Sequence, residues 1–316
     1  MGSRRVRGNN MPVFISNNCL DALSRINLRE LLKQRKIYIK INMVSASVLL
    51  SMTPREAIEE TVRFLRNRMN YTGDIAIIEG SAVGGSTYDG FKRLGLIELS
   101  KKYDLELIDI HEDEEREITL FNTRLEEMYV PISKTLVNAP FLISLCRAKT
   151  HDTVIVTLSI KNTAVGGIVG KQNRHRIHQG YQAINVNIAI LGAIMYPNVS
   201  IIDGRIGMEG NGPVSGTPKE WGYVIAGKNA VETDAVTAYG MGFDPESIGY
   251  LYYLNKLGYG EIKVATKYPV IDEIKIRFKP HKTYNMQLQW RLDPEQENII
   301  LEKAGKIINK YAKKSN

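Results

Sequence analysis

The chain has 316 residues, 43% hydrophobic and 24% charged, which argues against a disordered, collagen-like or membrane protein and is enough for a sizeable core. Only two cysteines are present, Cys19 and Cys146, which excludes a disulfide scaffold, a four-cysteine zinc site and an intrinsic cysteine-ligated iron–sulfur cluster. The net charge of +8 raises nucleic acid as a partner, yet much of it sits at the ends, in Arg4, Arg5, Arg7, Lys303, Lys306, Lys310, Lys313 and Lys314, and no nucleic-acid-binding motif accompanies it, so solvated charge is the plainer reading.

Residues 1–36 read as an N-terminal extension. Its basic start is followed by no apolar stretch of the secretory type, and no apolar run in the chain reaches the roughly 20 residues of a membrane span. The expected location is therefore the cytoplasm, with no membrane association. An α/β core is expected over 37–265. Its first strand is Ile37–Asn42, and Thr53-Pro54-Arg55-Glu56 then has the form of a capping box opening a helix, with Ile58, Val62, Leu65 and Met69 on one face. Asp74–Glu79 reads as a strand, followed by a glycine turn, a helix through Phe91 and Leu94, and a strand at Leu105–Asp109. The acidic run Glu112–Glu117 is expected to be a surface loop. Further strands are expected at Phe141–Cys146, Val199–Asp203 and Trp221–Ala226, and helices at Ala230–Gly240 and Ile248–Leu257. Residues 266–316 are expected to form a C-terminal strand and helix appendage, the helix opening at Asp293-Pro294. Alternating strands and helices predict a mostly parallel sheet with covering helices, one α/β body plus the C-terminal helix.

Two glycine segments resemble phosphate loops. Gly80-Ser-Ala-Val-Gly-Gly-Ser86-Thr87 follows a strand but lacks the lysine that reaches the β- and γ-phosphates. Gly85 and Ser86 remain anion-binding candidates through backbone N–H groups, beside the alternative of a plain strand-to-helix turn. The second segment, Gly166–Lys171, fails the spacing too.

The polar stretch from Lys149 to Pro213 is the most informative. Three of the five histidines fall in it, interleaved with cations: Lys149 and His151, Lys161 and Asn162, then Arg174, His175, Arg176 and His178. Such a grouping can bind a carboxylate or phosphate and move protons. Lys149, His151 and His175 are the catalytic candidates, and Lys161, Asn162 and Arg176 the substrate-binding ones. A basic surface ribbon with incidental histidines is the alternative. Downstream, Asp203, Glu209 and Asp234 are candidates for a divalent metal, and Asn211 for a substrate contact. Ordinary turns explain the same residues.

Lys149-Thr-His151, Thr157-Leu-Ser-Ile-Lys-Asn162, Asp203-Gly204 and Met208-Glu-Gly-Asn-Gly-Pro213 together resemble the set that marks the domain of unknown function 362. Lys40-Ile-Asn42, Glu79-Gly80, Asp234-Ala, Gly240-Met-Gly242 and Asp244-Pro245 fit the same pattern, so the resemblance runs from about Ile37 to Gly260. Members often carry a ferredoxin-like domain with four-iron four-sulfur clusters, which implies redox chemistry. This chain has no such cysteine set, so the resemblance leaves any cluster to a separate redox partner. In layout only, the chain also resembles the lactate racemase superfamily, whose enzymes exchange a proton or hydride through a nickel–pincer nucleotide tethered to lysine. No residues carry over from that likeness.

Two functions are left open. One is an oxidoreductase or isomerase-like enzyme acting on a small anionic molecule by Lys/His acid–base chemistry. The other is a non-catalytic protein that docks on nucleic acid or an acidic protein.

Overall fold

A computed structural model of the chain describes residues 12–178, 180–264 and 267–311; Arg4, Arg5, Arg7, Lys313 and Lys314 lie outside them. The strands are β1 (Phe14–Ser16), β2 (Lys36–Lys40), β3 (Asp74–Glu79), β4 (Leu105–Asp109), β5 (Glu115–Phe121), β6 (Glu127–Ser133), β7 (Leu142–Thr150), β8 (Val156–Thr157), β9 (Val199–Glu209) and β10 (Thr217–Gly227). The main sheet runs β1-β10-β9-β7-β2-β3-β4, with β8 paired to β7, and β5 and β6 form a separate hairpin. From β9 through β7, β2 and β3 to β4 every pairing is parallel, whereas β10 and β1 add antiparallel strands at one edge.

Strand side chains alternate between the two faces of a sheet, and here both faces are covered. Ile143 and Leu145 of β7 join one core, with Ile37 and Ile39 of β2 and with Ile58 and Val62 of the helix Arg55–Arg63. Leu142 and Cys146 of β7 join the other, with Ile160, Ile184, Ile188 and Val236 from the helices Ser159–Ala164, Tyr181–Ile194 and Ala230–Gly240. Burying each Ile or Leu contributes about 1.5–3 kcal/mol, so the two faces hold the sheet between them.

Polar residues inside these helices have assigned work. Asn187 sits in the apolar helix Tyr181–Ile194 and pairs with the backbone of Phe121, accepting at 2.9 Å and donating at 2.8 Å, which ties the β5–β6 hairpin to the core. Asn185 accepts from the Tyr250 amide at 2.9 Å.

Several expectations need correction. Thr53 is no helix cap: the helix begins at Arg55 after Pro54, without a side-chain cap. The Thr53 hydroxyl instead accepts from the Asn42 amide and donates to the Leu145 carbonyl, each at 2.8 Å, joining β2 to β7. The capping box lies at Ser86 and Asp89, opening the helix Thr87–Arg93. The acidic run is not simply a loop, because Glu115, Arg116 and Glu117 begin β5, where Ile118 and Leu120 are buried. β7 continues past Cys146 to Thr150, and β9 past Asp203 to Glu209. Residues 12–36 supply edge strand β1 and the helix Cys19–Ser24. Between 267 and 311 the described backbone contains helices and turns but no strand. Its last helix, Pro294–Tyr311, buries Ile300, Ala304 and Ile308 in the same core as the body.

Candidate functional site

Chain order reverses between β2 and β7: β2, β3 and β4 lead one way along the sheet, β7 and β9 the other. In such sheets a crevice opens at the carboxyl ends of the strands on either side of the reversal. Asn42 follows β2, Glu79 ends β3 and His151 follows β7, and all three line a cleft of about 350 Å³. Thr157 lines it from the end of β8, Lys161 and Asn162 from the helix Ser159–Ala164, and Arg174, His175 and His178 from the segment around the helix Lys171–Ile177.

The floor is a buried polar network. Lys40 pairs with Glu79 at 2.8 Å, both almost fully shielded, and donates to the Ile41 carbonyl at 2.8 Å. Burial lowers the Lys40 pKa, and Glu79 opposes that. Glu79 also accepts from the Gly80 amide at 2.7 Å. Asn162 donates to the Lys40 carbonyl and to Ser144 Oγ, and accepts from Asn42 at 3.3 Å. Gly166 packs directly on this network: a Cβ there would stand 2.5 Å from Lys40 Nζ, so a side chain would displace the ammonium.

Lys161 is different. It is 6% exposed and lines the cleft, and its ammonium has no hydrogen bond or ion pair among the described residues. Burial lowers its pKa to about 8, opposed by Asp152 and reinforced by Arg174. Thr157 is 2% exposed and its hydroxyl is also unpartnered.

The two histidines are set by the backbone. The Thr153 amide donates to His151 Nδ1 at 3.0 Å, so the neutral ring carries its proton on Nε2. Asp152 stands at the same distance from Nδ1 and would take up that nitrogen only on protonation. Burial, then the nearby Lys161 charge, lower the His151 pKa to about 3. His178 Nδ1 lies 2.7 Å from the Arg174 carbonyl, which can only accept, so its Nε2 keeps a lone pair. Burial and Lys161 lower the His178 pKa to about 4.

The sequence candidates divide on this geometry. His151, Lys161 and Asn162 line the cleft, as does His175, which is exposed at its rim. Lys149 lies behind the wall: its ammonium donates to Asn42 Oδ1 and, at 2.7 Å, to the Ser51 carbonyl, and burial lowers its pKa to about 7. Arg176 is exposed and, among the described residues, its guanidinium reaches Asn173. Ser86 caps its helix, and the Gly85 carbonyl accepts from Lys171 at 2.8 Å. Asn211 borders an adjoining hollow with His281 and Lys282, which shares Asp152, Pro213 and Val214 with the cleft.

The acidic candidates are engaged separately. Asp203 pairs with Arg205 at 2.7 Å, Glu209 accepts from the Lys279 amide at 2.8 Å, and Asp234 accepts from the amides of Ser159 and Ile160, each at 2.9 Å. Asp234 thus holds the start of the helix that carries Lys161. Among the described residues, no group of three or more His, Cys, Asp or Glu side chains is arranged to hold a metal ion. Cys19 and Cys146 are buried in different cores, on opposite faces of the sheet.

Sequence reasoning did not select Lys40, Asn42, Glu79, Thr157, Arg174 or His178 as site residues. The signal was their position: Lys40 and Glu79 are charges closing apolar strands, and such strand ends meet at the reversal point.

A family model described as "Domain of unknown function (DUF362)" matches residues 37–239. The chain is similar to a thylakoid-associated protein of Synechocystis sp., with 26% identity over 145 residues. That match takes in 45% of each protein, so the chain spans under half the length of this curated relative. Among solved structures it is similar to the lactate racemase apoprotein from Thermoanaerobacterium thermosaccharolyticum, at 12% identity and a TM-score of 0.46, over 77% of this chain and 59% of that one. No helix among the described residues is long and apolar enough to cross a membrane.

Proposed function

The chain belongs to the DUF362 family, and from its cleft we propose that it binds a small anionic metabolite on Lys161 and exchanges a proton with it through His151 and His178. The observation that carries this reading is Lys161, a largely buried lysine lining the cleft, whose ammonium has no hydrogen-bond or ion-pair partner among the described residues. A buried unpaired charge is costly, and an anion seated against it removes that cost. With its pKa at about 8, Lys161 is mostly protonated near neutrality.

The histidines supply opposite halves of a proton exchange. His151 offers an Nε2–H and His178 an Nε2 lone pair, with ring centroids 6.0 Å apart. Their pKa values are low partly because Lys161 repels a second positive charge. An anion on Lys161 cancels that repulsion and moves both rings toward the range in which general acid–base catalysis works. Binding thus prepares the chemistry.

The test is thermal unfolding at fixed ionic strength with acetate, benzoate or phosphate. A ligand at many times its Kd raises Tm by roughly a few degrees. At least one of these anions should stabilise the wild type and Lys303→Ala, whose lysine is exposed on the last helix, but not Lys161→Ala. Equal stabilisation of all three proteins, or none of any, overturns the proposal.

A further inference from the structure

We infer that the anion this cleft takes is a monoanionic carboxylate carrying a compact apolar body, rather than a phosphate; this rests on the Lys161 reading above. Phosphate sites gather several backbone N–H groups or a bidentate arginine. Here the loop amides that border the cleft are already used, and Gly84 and Gly85, whose amides have no acceptor among the described residues, are not part of its lining. In the glycine loop, the Gly80 amide donates to Glu79 at 2.7 Å, the Ser81 amide to Thr87 Oγ1 at 3.1 Å, and the Ala82 and Val83 amides to the Val44 carbonyl at 3.1 and 3.0 Å. Each nitrogen of the Arg174 guanidinium already donates to a carbonyl, those of Ile168, Gly80 and Gly166, which leaves two of its five N–H groups.

What remains free is a smaller set. Lys161 Nζ and His151 Nε2–H are two donors for the two oxygens of one carboxylate, and the shielded, unpartnered Thr157 hydroxyl belongs to the same lining. The local charge agrees. Lys40 and Glu79 cancel as a pair, and Asp152 at the mouth offsets one of the two remaining cations, Lys161 and Arg174. One positive charge is left over, beside a Lys149 that is only partly protonated at its pKa of about 7, a balance that suits a monoanion better than a dianion.

Much of the remaining lining is apolar. Met43, Val44, Ala82, Val83, Val165 and Val214 belong to it, and Val83 is a large hydrophobic side chain left 42% exposed. Residues that sequence reasoning read as a phosphate-loop look-alike therefore add apolar surface to the cleft: Ala82 and Val83 line it while their amides donate to the Val44 carbonyl. A bare anion would leave this surface wet. Each methylene placed against it should raise affinity about fourfold.

Calorimetric titration of the full chain at pH 7 and constant ionic strength tests this, using acetate, butyrate, benzoate, benzyl alcohol and inorganic phosphate. Affinity should rise about fifteenfold from acetate to butyrate, two methylenes at about fourfold each, and benzoate should bind more tightly than benzyl alcohol or phosphate. Thr157→Val, which removes the hydroxyl at constant shape, should weaken benzoate by about tenfold or more. Val83→Asp, at a side chain left 42% exposed, should weaken benzoate far more than acetate. Phosphate binding more tightly than benzoate, lost in Lys161→Ala, would overturn this inference and leave the anion site standing. Equal affinities for acetate and butyrate would remove the apolar body. If no anion in the series binds in a Lys161-dependent way, both readings fail together.

Discussion

His151 and His178 face one another with ring centroids 6.0 Å apart, and the backbone holds them in opposite tautomers, Nε2–H on His151 and Nδ1–H on His178. Nitrogen-15 NMR of histidine-labelled protein at pH 6 should show two neutral rings of different tautomer. Both pKa values lie below the ordinary 6.5, at about 3 and about 4. The unfolded chain therefore takes up protons that the folded chain refuses, and stability should fall as pH drops below about 6.5. Replacing both by Gln should flatten that part of the profile. Two rings titrating at 6–7 in the folded protein would contradict the account.

Anion binding should be lost as pH rises through about 8, where Lys161 gives up its proton. The same shift acts on stability with the opposite sense. Between about 8 and the ordinary 10.5 the unfolded chain holds a proton that the folded chain has released, so stability rises with pH there. Lys161→Met should remove both effects. Binding of benzoate that is constant from pH 7 to 10 would show that another group holds the anion.

The Lys40–Glu79 pair is shielded on both sides and bonded at 2.8 Å. Glu79→Gln leaves the Lys40 charge in a dry site and should cost roughly 3–5 kcal/mol in urea unfolding. Lys40→Met combined with Glu79→Leu removes both charges and should cost less than the sum of the single changes. Strictly additive losses would mean that the two side chains do not act as a pair.

Asp234 accepts from two amides at the start of the helix Ser159–Ala164, and burial pushes its pKa up to about 8, opposed by those amides. Asp234→Asn confronts one amide with a second donor and should cost about 1–3 kcal/mol near pH 5. A carboxyl with a raised folded pKa stabilises most at low pH, and that contribution fades as pH climbs to about 8. The deficit of the variant should therefore narrow between pH 5 and 9. Losing Asp234 should also weaken benzoate, because it anchors the helix that carries Lys161.

The sheet was largely legible because apolar periodicity reports burial. β3 and β4 lie where the pattern of Asp74–Glu79 and Leu105–Asp109 puts them. The site was legible only in part, for three physical reasons. Lys149 is fully buried inside β7, where its charge interrupts the apolar pattern and resembles a loop beyond Cys146. Thr53 has the local form of a helix cap, but its hydroxyl is taken by a residue 92 positions away, a competition no short window contains. Asp203, Glu209 and Asp234 resemble a ligand set in the sequence, yet each is bonded to a different partner in space. His151, Lys161 and Asn162, picked as candidates because histidines and cations cluster there, do line the cleft.

The most direct test of the account is the pKa of the Lys161 ammonium, followed by carbon-13 NMR of its Cε, in the free protein and with saturating benzoate or phosphate. The account predicts a value near 8 in the free protein and a clear rise with at least one of the two anions. A value near the ordinary 10.5, or one that neither anion moves, would contradict it.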